Sequence, residues 1–485
     1  MPMSPSRFLI ALCAGLVIAG CTTVNNLPSN APLVNGQLKV AHDGRPSEAF
    51  EDDMLVALAF SGGGTRAAAF SFGVLKGFAN TSFSDQGRPA SLIDRIDFIT
   101  AVSGGSVTAA YFGLKHRDAL ADFRERFLLR NAEENLNTDV NLITFSRALG
   151  GGANQDLPLR NWLNANLFEG ATFAAMHTER RPRVWINATD IYNRTPFVFG
   201  KTAFGALCSN LDDYPVAGAV AASAAVPLAF APVVLESYPA RCHEPLPEWI
   251  TRAAGNVNAP PLLHSFAKGV RSYRDGSMKY VKLLDGGLVD NFGLSGFTIS
   301  LESAEAPYEP MTREEGVRLR RILFLVVDAG RGPQGDWARQ LQGPSGTQLV
   351  DAVTSAAIDA SVRQSYTAFK VSMARWRDGL VRWRCGLPSR EVSRLRGGMR
   401  GHWNCRDIKL FIGKLSFDQL DPGRAARLNA VPTRFVLPQA SVDELIAAGQ
   451  DVLAADPTFR AFRQSLGALP AVPENKGRTA GLLKH

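Results

Sequence analysis

Two apolar runs, each breaking into consecutive glycines and then into a helical pattern, constrain this chain more than any other feature. Met54-Leu55-Val56-Ala57-Leu58-Ala59-Phe60 leads into Ser61-Gly62-Gly63-Gly64-Thr65-Arg66, after which Phe70, Val74, Leu75 and Phe78 recur at helical spacing. Phe98-Ile99-Thr100-Ala101-Val102 repeats the plan, passing through Ser103-Gly104-Gly105 into a helical stretch that includes Tyr111 and Phe112. A strand that is apolar throughout is covered on both faces, and strands alternating with helices build a parallel sheet. Further strands are predicted at 184–191, 283–284 and 322–327, with helices at 216–225 and 352–368. The fold class expected is α/β, a mainly parallel sheet with helices on both faces, plus a smaller C-terminal α+β extension. In that extension an Arg- and Trp-rich stretch begins near residue 370, and order returns at 410–415 and 433–437. Ser441 followed by Glu444 reads as the capping box of the final helix.

The chain can bury a core of this kind: of its 485 residues, 46% are hydrophobic and 20% charged, close to globular averages. That excludes a disordered chain, a fibrous rod and a small disulfide scaffold. The net charge of +8 is modest for this length, and the arginines are mostly scattered rather than gathered in a stripe, so nucleic acid is not expected as a partner.

The first 20 residues read as a targeting segment. Arg7 precedes an apolar run from Phe8 to Gly20, about 13 residues, short of the ~20 that span a bilayer. This is the pattern of a secretory signal. Its end, Val17-Ile18-Ala19-Gly20-Cys21, resembles the bacterial lipobox, which implies that Cys21 is lipidated and becomes the mature N-terminus. Thr22 in place of an inner-membrane Asp then implies anchorage at the outer membrane. Residues 21–51 are polar and aperiodic, a tether between lipid and domain.

Export changes the reading of the remaining cysteines, Cys208, Cys242, Cys385 and Cys405. Four allow three pairings; the pairing local in sequence is Cys208–Cys242 with Cys385–Cys405, in an oxidising compartment. No C-x-x-C pair or histidine cluster accompanies them, so disulfides are expected and a metal site is not. Trp376, Trp383 and Trp403, near Arg375, Arg377, Arg382 and Arg384, allow two readings: anchorage at a membrane interface, or a packed unit pinned by Cys385–Cys405.

Three turns carry the chemistry. Ser103, between a buried strand and a helix rich in small residues, has the setting of a nucleophile elbow. The usual G-x-S-x-G is here Ala101-Val102-Ser103-Gly104-Gly105, with one methyl added at the first glycine. Taken alone, a serine in this place is more often a helix N-cap than a nucleophile. Gly62, Gly63 and Gly64 offer backbone N–H groups at a helix N-terminus, a surface suited to an anion. A nucleotide P-loop would need a Lys that is absent, and a G-x-G-x-x-G fingerprint fails because the glycines are adjacent. The better use is an oxyanion hole. Leu283-Leu284-Asp285-Gly286-Gly287 ends a third apolar run in a carboxylate; alone, Asp-Gly reads as a tight turn.

Together and in this order, the three turns resemble the patatin-like phospholipase family. There G-G-G-x-R forms the oxyanion hole, G-x-S-x-G holds the nucleophile, and D-G-[GA] carries the Asp of a Ser–Asp dyad. Ala222-Ser223-Ala224-Ala225-Val226-Pro227-Leu228-Ala229-Phe230-Ala231-Pro232 and Asp290-Asn291-Phe292-Gly293 are similar to two further family stretches. The resemblance implies Ser103 as nucleophile and Asp285 as general base, then acid. It also implies an oxyanion hole of Gly62, Gly63, Gly64 and Gly104, with Arg66 supporting the turn by charge or by pairing with a carboxylate. The resemblance further implies an acyl-enzyme on Ser103, no metal or cofactor, and membrane phospholipids, lysophospholipids or other lipid esters as substrates. Two other activities fit the same residues: a catalytically idle lipid-binding envelope lipoprotein, and an acyltransferase using the same dyad. A Ser–His–Asp triad in α/β-hydrolase order has only His402 and His485 available after Asp285. The expected organisation is a signal peptide (1–20), the tether (21–51), an acyl hydrolase domain (52–330), an extension packed on it (331–470) and a flexible tail (471–485).

Overall fold

The computed structural model describes residues 26–34, 53–85, 88–137, 147–148, 150–176, 181–332, 337–397 and 403–466. The signal peptide, Cys21, His402, His485 and the 471–485 tail lie outside these described residues.

The strands are β1 (Met54–Phe60), β2 (Ser82–Asp85), β3 (Arg88–Ser91), β4 (Phe98–Val102), β5 (Arg183–Asp190), β6 (Thr195–Val198), β7 (Val233–Glu236), β8 (Tyr280–Asp285), β9 (Arg321–Asp328) and β10 (Lys409–Ser416). β2 and β3 form a separate hairpin, and the others make one sheet ordered β10-β9-β1-β4-β5-β8-β7, with β6 on β5. The five strands from β10 to β5 are mutually parallel, whereas β8 runs antiparallel to β5 and β7 antiparallel to β8. β1 lies between β9 and β4 with both faces covered, which is why its sequence is apolar without alternation. The mainly parallel α/β architecture expected from the sequence is therefore present, with additional helices in the C-terminal region.

Helices α1 (Gly64–Ala79) and α2 (Gly104–Lys115) follow β1 and β4 directly, and α3 (Val216–Ser223), α4 (Gly346–Cys385), α5 (Gln439–Ala455) and α6 (Pro457–Ser465) come later. α1 and α5 pack at van der Waals closeness because each places a glycine at the crossing. A Cβ on Gly73 would lie 2.1 Å from the Ile446 carbonyl oxygen, and one on Gly449 would lie 2.3 Å from that of Phe70. Apolar side chains from both helices share the main core cluster with β1, β8 and β9.

Several details differ from the sequence reading. Part of the C-terminal region is not laid against the sheet but extends it, since β10 pairs with β9 over its whole length, from Lys409↔Arg321 to Ser416↔Asp328. Residues 26–34, read within the tether, are docked: the Ser29 N–H donates to Val234 O at 3.0 Å, the Leu33 N–H to Cys208 O at 2.9 Å, and Leu33 is buried. These bonds cover backbone groups at and beside the edge strand β7. Ser441 is not a cap, because α5 begins two residues earlier after Pro438 and Ser441 falls in its first turn. α4 runs unbroken through the Arg- and Trp-rich stretch, starting from a capping box of Ser345 and Gln348. The tryptophans there are packed: Trp376 Nε1 donates to Glu309 O at 2.8 Å, Trp403 Nε1 donates to Val317 O at 3.2 Å, and Trp383 lies against Tyr308 with ring centroids 5.0 Å apart. The four cysteines pair locally, Cys208 with Cys242 and Cys385 with Cys405.

Candidate active site

The sheet register sets Ser103 and Asp285 on either side of β5. Val102, the last residue of β4, pairs with Asn187, and the next residue of β5, Ala188, pairs with Asp285 from the opposite side. Ser103 thus leaves β4 at the level where Asp285 ends β8. β8 runs antiparallel and overlaps β5 only at 188–190, so Asp285, its last residue, lies beside the carboxyl end of β5, at the edge where open α/β sheets bind ligands.

Ser103 has φ 51° and ψ −124°, a conformation that non-glycine residues adopt only when their surroundings impose it. Its own backbone N–H donates to Ser223 Oγ at 2.8 Å, and that hydroxyl donates to Asn187 O at 2.6 Å. Behind the serine there is no room for a side chain. A Cβ on Gly104 would lie 1.9 Å from the Gly64 carbonyl oxygen, and one on Gly105 would lie 2.6 Å from that of Ser61. The nucleophile turn and the first glycine turn are therefore in direct backbone contact.

In the first turn, Gly63 (φ 140°) and Gly64 (φ 58°) take conformations that favour glycine. The N–H of Gly62 is already engaged, donating to Asn291 Oδ1 at 3.1 Å and, more weakly, to Asn291 O at 3.3 Å. Gly62 thus departs from its expected role as an oxyanion donor, because its hydrogen is already taken by Asn291, in the segment after Asp285. The N–H groups of Gly63, Gly64 and Gly104 have no acceptor among the described residues. Segment 433–437 is ordered without forming a strand. It crosses this turn instead: Arg434 O accepts the Thr65 N–H at 2.8 Å, and Phe435 O accepts that of Ala132 at 3.3 Å.

Arg66 is buried and pairs with carbonyls rather than a carboxylate. Its Nε donates to Ala329 O at 2.9 Å and its Nη1 to Val431 O at 2.7 Å. Burial, helped by the nearby positive charge of Arg331, lowers its guanidinium to about 9, against the pull of Asp328. It therefore acts as a strut, joining α1, the end of β9 and the segment before residue 433.

Asp285 is also buried, and burial pushes its carboxyl up to about 6, opposed by the Gly287 N–H and by the Ser103 hydroxyl. The Gly287 N–H reaches Asp285 Oδ1 at 2.8 Å. The Asp285 backbone is fixed from both sides: its N–H donates to Ala225 O at 2.8 Å, and its carbonyl accepts Thr189 Oγ1 at 2.9 Å. Ser103 and Asp285 both open onto a cleft of about 810 Å³, with Gly63 and Gly64 on its wall. Leu136, Val226, Leu228, Phe230, Ile358 and Phe435 give it a largely apolar lining, and among the described residues no histidine faces it.

Two residues that matter here carried no role in the sequence reading. Ser223 and Asn291 stood there only as members of motif-like stretches, yet one holds the nucleophile turn and the other the first glycine turn. The serine after Ala222 and the asparagine after Asp290 were the available signals.

An α/β sheet that sets a strained serine, N–H donors without an acceptor among the described residues and a buried carboxylate at one edge has the layout that nucleophilic acyl-transfer chemistry requires. Residues 58–298 match the model of the patatin-like phospholipase family, and the chain belongs to that family. Its three glycine turns all fall within the matched span. Among solved structures, the chain is similar to human GIVD cytosolic phospholipase A2 at 12% identity and a TM-score of 0.40, over 85% of this chain and 60% of that one. It is similar to VipD from Legionella pneumophila at 14% identity and a TM-score of 0.27, over 89% of this chain and 73% of that one. The chain thus spans about 60% of the length of the human phospholipase that it matches. No curated protein sequence matches it.

Proposed function

We propose that the protein is a serine lipid acyl hydrolase of the phospholipase A or lysophospholipase type, working through a Ser103–Asp285 dyad. The observation that carries this reading is the raised, buried carboxyl of Asp285 interacting with the hydroxyl of a serine held in a strained turn. With its carboxyl near 6, Asp285 is ionised at neutral pH yet basic enough to take the Ser103 proton. The Ser103 oxygen attacks the ester carbonyl, and the N–H groups of Gly63, Gly64 and Gly104 receive the developing oxyanion. Asp285 returns the proton to the leaving alcohol, giving an acyl-enzyme. Water activated by the same carboxylate then releases the fatty acid. Arg66 contributes by holding the glycine turn, and the apolar cleft accepts the acyl chain.

Anchorage at the outer membrane through a lipidated Cys21 is part of the same proposal and rests on the residues 17–21. A Cys21→Ala variant is expected to leave the membrane fraction, and its retention there would refute the anchor.

The test of the dyad is labelling with a fluorophosphonate probe in detergent micelles, on wild type, Ser103→Ala and Asp285→Asn. Labelling of wild type, its abolition in Ser103→Ala and its sharp reduction in Asp285→Asn are expected. Folded proteins that all stay unlabelled would remove the hydrolase reading. Product analysis with added glycerol or lysolipid separates hydrolysis from acyl transfer.

A further inference from the structure

Arg331 stands three residues beyond the end of β9, and its side chain lines the same cleft as Ser103 and the first glycine turn. Its position beside that turn follows from the register. Phe60 pairs with Val327, the Ala329 N–H donates to Ser61 Oγ at 2.9 Å, and Ala329 O accepts from Arg66. The Arg331 Nε is shut off from solvent without a hydrogen-bond partner, and among the described residues its guanidinium makes no ion pair.

Three of the carboxylates that line the cleft with it are engaged elsewhere. Asp328 accepts the Gly330 N–H at 2.8 Å and the Lys414 ammonium at 3.1 Å. Asp359, which faces the cleft from α4, has Arg363 as its cation, and burial keeps its carboxyl above the ordinary range. Glu133 is held by Arg434 and by the Phe435 N–H. Arg66, the other guanidinium at the turn, has its donors on two backbone carbonyls and is pushed down partly by the charge of Arg331. Arg331 is thus a cation in a partly dry cleft, without a counter-ion among the described residues and next to a second cation. Such an arrangement is unfavourable until an anion completes it. A planar guanidinium is matched best by an oxyanion with two accessible oxygens, and a phosphodiester provides them.

We propose that Arg331 is a specificity residue that receives the phosphate of the substrate's head group while the acyl ester lies at Ser103, so that the site selects phosphate-bearing lipids over neutral glycerides. This rests on the acyl hydrolase reading above.

The experiment compares two substrates with one acyl chain, 1-palmitoyl lysophosphatidylglycerol and 1-monopalmitoylglycerol, in the same detergent micelles with the full-length protein. Wild type, Arg331→Gln and Arg331→Lys are assayed on both. For Arg331→Gln we expect KM for the phospholipid to rise about tenfold or more, kcat to change by less than about twofold, and the neutral ester to be cleaved as before. Arg331→Lys is expected to fall between, because it keeps the charge but not the two-pronged geometry. An equal loss on both substrates would make Arg331 a structural residue and overturn the proposal, as would no change on either. Wild type that cleaves neither ester would instead overturn the hydrolase reading, and this proposal with it.

Discussion

Ser223 holds Ser103 by its backbone rather than by its side chain: the Ser223 hydroxyl accepts the Ser103 N–H at 2.8 Å while donating to Asn187 O at 2.6 Å. One hydroxyl thereby ties α3, β5 and the nucleophile turn at a single buried point. A serine at φ 51° persists only when its surroundings over-determine it. Ser223→Ala leaves a buried donor and a buried acceptor unpaired, at about 1–3 kcal/mol each. We expect a lower denaturant midpoint together with a fluorophosphonate labelling rate reduced about tenfold or more. Unchanged labelling in a folded Ser223→Ala protein would mean that the turn is held by other contacts.

Asp285 sets the pH dependence. Because burial raises its carboxyl to about 6, the ionised base is lost as pH falls through that value, and kcat/KM should drop about tenfold per pH unit below it. Stability has the opposite sign. The folded carboxyl titrates above its ordinary value of 3.8, so ionisation destabilises the fold. That penalty is absent below 3.8, grows between 3.8 and about 6, and is complete above. Asp285→Asn keeps an acceptor for the Gly287 N–H and removes the charge. It should therefore be inactive yet more stable than wild type at pH 7, by about 1–3 kcal/mol. Thermal melts of the two proteins at pH 7 and pH 3.5 check this, with the difference vanishing at the lower pH.

Gly104 is the point where the two turns touch, since a Cβ there would lie 1.9 Å from the Gly64 carbonyl oxygen. Backbone cannot yield as a flexible side chain can, so Gly104→Ala must push the turns apart and misplace the N–H donors of both. A loss of about 100-fold or more in turnover is expected, with destabilisation of about 1–3 kcal/mol from the forced contact. Gly170→Ala is a control for strain alone, because Gly170 has φ 81° with nothing within 4 Å of its Cβ position. It should lose some stability and no activity.

The turns themselves were legible because each ends a run whose burial the sequence displays: β1 before Gly62, β4 before Ser103, β8 before Asp285. Their contacts were not. The Ser103–Ser223 bond joins residues 120 apart and the Gly62–Asn291 bond residues 229 apart, and such pairings leave no periodic trace in the chain. The same holds for segment 433–437. Its apolar residues signalled order, but its backbone bonds go to α1 and to Ala132 rather than to a neighbouring strand. The role of Gly62 shows the limit most clearly, since four glycines beside an anion site look alike in sequence and differ only in where each N–H points.

The Cys385–Cys405 disulfide is expected to act on stability alone. It closes 20 residues at the end of α4, where the fully buried Arg384 pairs with Asp407 at 2.8 Å and donates to Leu319 O at 2.6 Å. The cross-link limits the unfolded chain, an effect of about 3 kcal/mol for a loop of this size. Neither cysteine faces the cleft, and the elements that carry Ser103 and Asp285 are held by β5, α3 and the first glycine turn. Replacing both cysteines by serine should therefore lower the denaturant midpoint while leaving the initial rate of fluorophosphonate labelling at 25 °C within about twofold of wild type. A comparable fall in labelling rate would mean that α4, which also lines the cleft through Ile358 and Asp359, transmits the constraint to the site.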